Sequence, residues 1–245
     1  VCSSGWKRTS TEEESVPEGS RIVLVGAGEQ GEIAYQYFTY DSPHEVVGFA
    51  VEPQFRGEQE ELFGLPVFDL PEIAERFPPE EFRAFVSVSS THLNRVRARL
   101  FRHVKELGYT CETYVSSHAF VWRDVKVGEN SFIFENNVLQ YGVEVGDNVI
   151  LWSGNHVGHQ TKIHDDVFIS SHVVISGFCE IGRSCFLGVN STFADNLTVA
   201  EDCVIGAGAV VVKKTKPGGV YVGNPAKRLD HHDAYAAFKV PDDER

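Results

Sequence analysis

The chain has 245 residues, of which 42% are hydrophobic and 23% charged, enough to bury a core in one large domain or two small ones. Its 35 acidic and 22 basic side chains leave a formal charge of −13, the wrong sign for a phosphate-backbone partner, so no nucleic acid is expected. No apolar run reaches the ~18 residues of a membrane span and no signal-peptide core precedes the first strand, which predicts no membrane insertion and a cytoplasmic location. The five cysteines are an odd number without a CxxC pair, which suggests neither a disulfide framework nor a zinc ribbon.

Residues 1–20 are polar and read as a flexible lead-in. From Arg21, RIVLV reads as a strand, GAGEQG (26–31) as a glycine turn and EIAYQYFTY as a helix. Strands at 45–52, 82–90 and 110–117, with a helix over 91–108, continue the alternation and predict a small Rossmann-like parallel α/β domain over 21–118. The turn fits GxGxxG, and Glu52 ends the next strand, where a dinucleotide-binding unit places its ribose acid. About 100 residues supply little more than half of a doubly wound fold, however, and no nicotinamide-binding half is evident.

After His118 the helices stop. Cut into sixes from Ala119, the chain gives sixteen hexads to Lys214, and the third residue of each is apolar, from Val121, Val127 and Ile133 through to Ile205 and Val211. A period of eighteen overlies the first, with VKVGEN, VEVGDN, TKIHDD, CEIGRS and LTVAED recurring every third hexad. Three short strands per turn predict a triangular parallel β-helix over 119–214, its coils stacked ~4.8 Å apart around aliphatic side chains. Cys179, Cys185 and Cys203 open hexads and are expected inside it as small hydrophobes. Residues 215–245 remain as a C-terminal cap and tail.

The hexads resemble the left-handed parallel β-helix of the hexapeptide-repeat acyltransferases. With the α/β segment before them and VYVGNPAKRL (220–229) after them, the match narrows to sugar acyltransferases of the NeuD/PglD type. The resemblance implies a homotrimer with active sites between neighbouring β-helices, acetyl-CoA as donor, and an amino or hydroxyl group of a nucleotide-linked sugar as acceptor. Acetylation of an amino sugar at nitrogen is the favoured expectation, and sugar O-acetylation the alternative.

Acyl transfer from a thioester needs a base for the acceptor proton and donors for the oxyanion. Histidine suits the first task near neutrality, and GNHVGHQTKIH holds His156, His159 and His164, with His172 one hexad later. By its place in the coil His159 matches the family's catalytic histidine. Its vertical neighbours are Tyr141 below and Gly177 above, and the family places an acetyl-CoA-contacting amide at Gly177. The resemblance further places Val189 and Ala207 along the pantetheine arm and Gly28, Glu29, Gln30 and Glu52 around the nucleotide sugar; Lys213 and Lys214, at the last full coil, are candidates to reach the coenzyme A phosphates, and His156 is a candidate substrate-binding residue. Three positions depart from the family: Gln160 stands where an acidic residue often orients the imidazole, Phe168 where some relatives carry a histidine near the cofactor, and Val51 where relatives often carry the first of two acidic residues at the strand end. Asp165, Asp166 or a group of the adjacent subunit are the remaining candidates to orient His159.

Two other readings use the same helix. A γ-class carbonic anhydrase shares the His159 and His164 spacing, but Arg123 occupies the place of its third zinc ligand, so no metal is expected. A non-catalytic binding or scaffold protein is favoured by Gln160 and Phe168.

Overall fold

The computed structural model describes residues 19–245, so all but the end of the expected lead-in lies outside the described residues. The α/β module comprises β1 (Arg21–Val25), α1 (Glu29–Tyr40), β2 (Glu45–Val51), α2 (Pro53–Arg56), β3 (Glu61–Leu62), β4 (Leu65–Asp69), α3 (Ile73–Arg76), β5 (Arg83–Val86) and α4 (Arg95–Glu106). The sheet order is β3-β4-β2-β1-β5, with β3 antiparallel to β4 and the rest parallel. The sheet is thus mixed at one edge. The hairpin of β3 and β4 escapes a pattern reading because Gly64 and Pro66 interrupt a run that is otherwise strand-like. The strand expected over 110–117 touches this sheet only at an isolated bridge between Ala84 and Cys111. Tyr114–Val115 instead pairs with Phe132–Ile133 and starts the β-helix stack.

In the parallel β-helix every strand is two residues long and pairs with the strand eighteen positions away. The third residues of the hexads are buried from Ile133 onwards; Val121 and Val127, at the open lower end, are half-buried. Each buried Val, Ile or Leu contributes about 1.5–3 kcal/mol, and Cys179, Cys185 and Cys203 join them in the core. Every sixth residue from Asn130 to Gly208 is left-handed, with φ of 55° to 78°. That explains why Asn, Asp or Gly fill most of these corners, being the residues that tolerate this conformation. Gln160, His172, Phe178 and Ser184 are the exceptions.

The three faces differ in what they present. One carries Phe132, Ile150, Phe168, Phe186 and Val204 outward and is covered by the chain itself: Tyr37 and Phe38 of α1 pack on Phe132, and Phe238 of the tail on Phe186. The second presents Lys126, Glu144, Lys162 and Glu180 in a column, with Glu144 bridging Lys126 at 3.2 Å and Lys162 at 3.3 Å. The third aligns Phe120, Val138, His156, Val174, Thr192 and Val210. On it Phe120 is 53% and Val174 41% exposed, and none of the described residues covers it. We call the corner between the third and second faces corner A, the next corner B, and the corner between the covered and third faces corner C.

Two polar systems dock the module on the β-helix. At corner B, the Val86 N–H donates to Asn130 Oδ1 (2.6 Å), Asn130 Nδ2 to Asn148 Oδ1 (2.8 Å), and Asn148 Nδ2 to Asp166 Oδ1 (2.7 Å). After α1, Asp41 accepts from Tyr114, from Ser116 Oγ at 3.0 Å and from the Ser117 N–H at 3.1 Å.

Candidate active site

Corner A carries the histidine singled out by sequence. His159 is the fifth residue of its hexad and is exposed. Its backbone N–H donates to Gln140 Oε1 at 3.0 Å. Its ring lies over Gly177: a Cβ built there would sit 2.6 Å from Cε1 and 2.9 Å from Nε2. Phe178 closes a second side edge-on, with centroids 4.9 Å apart at 82°. Among the described residues no side chain hydrogen-bonds either ring nitrogen, which leaves both free for a proton and a partner. Steric fit, not a carboxylate, therefore places this imidazole within its own chain.

Several expectations about its surroundings need correction. The Gly177 N–H is not free: it donates to Asp195 Oδ1, one coil above, at 2.8 Å. The same corner bond recurs where the Glu129 N–H donates to Asp147 (2.7 Å) and the Asp147 N–H to Asp165 (3.0 Å), so an aspartate on the next coil is this fold's ordinary cap for a corner amide. Asp165 and Asp166 stand on corner B, occupied by Arg183, Asp147 and Asn148, and do not orient His159. Gln160 leans back over Gly142 on the coil below. Phe168 is buried beneath the α/β module, stacked on Phe186 at 5.2 Å, because its strand belongs to the covered face.

The other histidines separate. His156 is half-buried in the apolar column, between Val138 and Val174. His164 pairs with Glu180 at 2.9 Å, and His172 rests over Gly154 at corner C. Lys213 and Lys214 are exposed on corner A, three coils above His159, a rise of roughly 14 Å. Val189 and Ala207, also exposed, stand on corner C at the opposite edge of the uncovered face.

A second element is a cavity of about 860 Å³ at the carboxyl ends of β1, β2 and β5, where an open α/β sheet binds its ligands. Gly28, Glu29, Gln30 and Glu52 all line it. Each glycine of the turn has its own reason. Gly26 has φ of +116°, a Cβ on Gly31 would collide with the Gly26 carbonyl, and one on Gly28 would meet nothing within 4 Å, leaving room for a ligand. Glu52 is not a free ribose acceptor, since Arg99 of α4 grips both its oxygens at 2.9 and 3.0 Å. That hydrogen bond raises the Arg99 pKa above its ordinary value, opposed by partial burial. Gln30 Nε2 and Trp152 Nε1 are buried beside the cavity without a hydrogen-bond partner among the described residues. Trp152 comes from the β-helix, directly after the covered-face strand Ile150–Leu151 and two residues before Gly154, so the cavity borders corner C.

Gln140, Phe178, Asp195, Arg99 and Trp152 were not anticipated from sequence. The eighteen-residue period gives a signal for Asp195, directly above Gly177, and for Phe178, above Gln160. Arg99 and Glu52 meet 47 positions apart with no local pattern to join them.

Residues 124–159, 142–177 and 178–213 match the bacterial transferase hexapeptide model of six repeats. Among solved structures, the acetyltransferase domain of PglB from Neisseria gonorrhoeae is 26% identical, with a TM-score of 0.77 over 86% of this chain and 100% of that one. The same domain in complex with acetyl coenzyme A superposes with a TM-score of 0.74 at 25% identity, over 86% and 100%. A variant of perosamine N-acetyltransferase from Caulobacter crescentus, in complex with CoA and GDP-perosamine, shares the fold at 21% identity and a TM-score of 0.77, over 88% of this chain and 99% of that one. The NeuD/PglD-type resemblance is thereby borne out: the hexads over 124–213 match the repeats of the bacterial transferase hexapeptide model, and the α/β module with its β-helix is similar over nearly the whole described chain to the PglB acetyltransferase domain.

Proposed function

We propose that the protein transfers an acetyl group from acetyl-CoA to the amine of a nucleotide-linked amino sugar, in a site shared between copies of the chain. The observation that carries this reading is the placement of two half-sites at opposite edges of one uncovered apolar face: the cavity beside corner C, and His159 on corner A. A closed ring of three chains that buries this face brings corner A of one chain to corner C of the next. It joins a cavity to a histidine, and Val189 and Ala207 to Gly177. The PglB domain and the perosamine enzyme, held with acetyl-CoA or with CoA and a nucleotide sugar, support the choice of donor and acceptor.

In this reading the cavity holds the nucleotide with the sugar amine directed at His159 of the adjacent chain. His159 accepts a proton from the amine as its nitrogen attacks the thioester carbonyl. Asp195 gives up the Gly177 N–H, which then donates to the oxyanion. As the C–S bond breaks, His159 returns the proton to the departing sulfur. Phe178 and Tyr141, both more than half exposed, wall the base and exclude water from it.

The test is coenzyme A release with a panel of nucleotide-linked amino sugars. His159→Ala should lower turnover by about 10²–10⁴, the usual worth of a general base. Unchanged turnover in that variant refutes the assignment, and no turnover by the wild type with any acceptor favours the scaffold reading.

A further inference from the structure

His92, Leu93 and Asn94 follow one another in the left-handed region, with φ of 50°, 52° and 67°. None is a glycine, and three such residues in succession persist only where their surroundings hold them. The turn stands at the lip of the cavity: Thr91 and His92 line it, and the segment begins at Ser87, whose hydroxyl donates to the Gly26 carbonyl at 3.0 Å.

What holds the turn is mainly the C-terminal tail. Leu93 is fully buried in a cluster with Val204, Val220, Ala234 and Val240. Arg95 Nε donates to the Glu244 carbonyl at 3.0 Å, and its NH2 group to Asp202 at 2.6 Å, while the Tyr235 hydroxyl donates to the other oxygen of Asp202 at 2.7 Å. Asn94 Nδ2 donates to the Cys185 carbonyl at 3.3 Å. Glu244 Oε2 lies 3.3 Å from His92 Nδ1. No tail residue lines the cavity itself. The tail grips the turn from behind.

We propose that residues 234–245 are a strut for the cavity, in which Glu244 fixes the His92 ring so that its Nε2 contacts the diphosphate of the bound nucleotide. This rests on the reading of the cavity as the nucleotide-sugar site. Glu244 accepts from Nδ1–H, which settles the ring's orientation, and Nε2, on the ring's other side, donates to a phosphate oxygen in the doubly protonated ring that an anion on each side favours. His92 is then a ligand-contacting residue and Glu244 a positioning residue that acts through it.

The test titrates UDP, GDP and dTDP by calorimetry into the full-length wild type, His92→Ala, Glu244→Ala and Glu244→Gln, with a thermal unfolding curve for each. At least one nucleotide should bind the wild type, and His92→Ala should weaken it about tenfold, the loss of one charge-assisted hydrogen bond. Glu244→Ala should weaken it by a smaller factor at an unchanged unfolding midpoint. Glu244→Gln, whose amide oxygen still accepts from Nδ1, should restore it. Wild-type affinity in His92→Ala and Glu244→Ala overturns the strut and leaves the cavity reading standing. So does a loss that tracks the unfolding midpoint and is not rescued by glutamine. Failure of the wild type to bind any of the three overturns the cavity reading and the strut with it.

Discussion

Gly177→Ala is the smallest change that separates a placed imidazole from a merely present one. A Cβ at this position would lie 2.6 Å from His159 Cε1 and 3.0 Å from Nδ1. Carbon atoms in contact settle near ~3.5 Å, so the ring must retreat by about 0.9 Å. A reacting group displaced by about 1 Å loses on the order of 10² in rate. The backbone at Gly177 is not left-handed, so alanine brings no strain of its own. His159 is exposed, so the variant should unfold within about 0.5 kcal/mol of the wild type. Coenzyme A release at saturating acceptor should therefore fall about 10²-fold, while KM for the nucleotide sugar, set by the cavity at the other corner, stays put. Full turnover in Gly177→Ala would show that the position of the His159 ring does not matter to the reaction.

Two further outcomes follow from the docking of the parts. Burial tends to raise the Asp41 pKa, but hydrogen bonds from Ser117, Tyr114 and Ser116 outweigh it and lower it from 3.8 to about 2. Because the folded value lies below the unfolded one, this contribution to stability is complete above about pH 4 and is lost as the pH falls towards 2. Asp41→Asn should flatten the acid limb of a urea-midpoint against pH profile, and an unaltered limb would mean that Asp41 does not clamp α1 to the β-helix. Val174→Lys places a charge in the centre of the uncovered face; it should leave the monomer folded, reduce the solution mass to that of one chain and abolish turnover, whereas an intact oligomer would show that another surface mediates assembly.

The β-helix was legible because its physics repeats: an aliphatic residue at every third position of a hexad has one interior to point into, and a period of eighteen names each residue's neighbours in advance. The His159 and Gly177 contact follows from that period alone. The direction of a side chain at a corner does not. Gln160 turns down to Gly142 while His159 turns up to Gly177, and Asp195 takes the amide that the sequence left open. The α/β module was less legible, since β4 hides behind Gly64 and Pro66 and α4 starts only after three left-handed residues, at Arg95 instead of Thr91. Meetings across the fold, such as Glu52 with Arg99 or Trp152 with the cavity, depend on how the module sits on the covered face, which no local pattern encodes.

The claim that the site is shared between copies is tested most directly by mixing two inactive proteins. His159→Ala removes the base. Gly28→Phe fills the cavity at a position where a Cβ meets nothing within 4 Å, so it should block the nucleotide and spare the fold. Each should be inactive alone. Co-refolded in equal amounts, they should regain about a quarter of wild-type turnover, the share of random pairings that put an intact cavity beside an intact His159 of the next chain. A mixture as inactive as its components, at full oligomer mass, would contradict a site built from two chains.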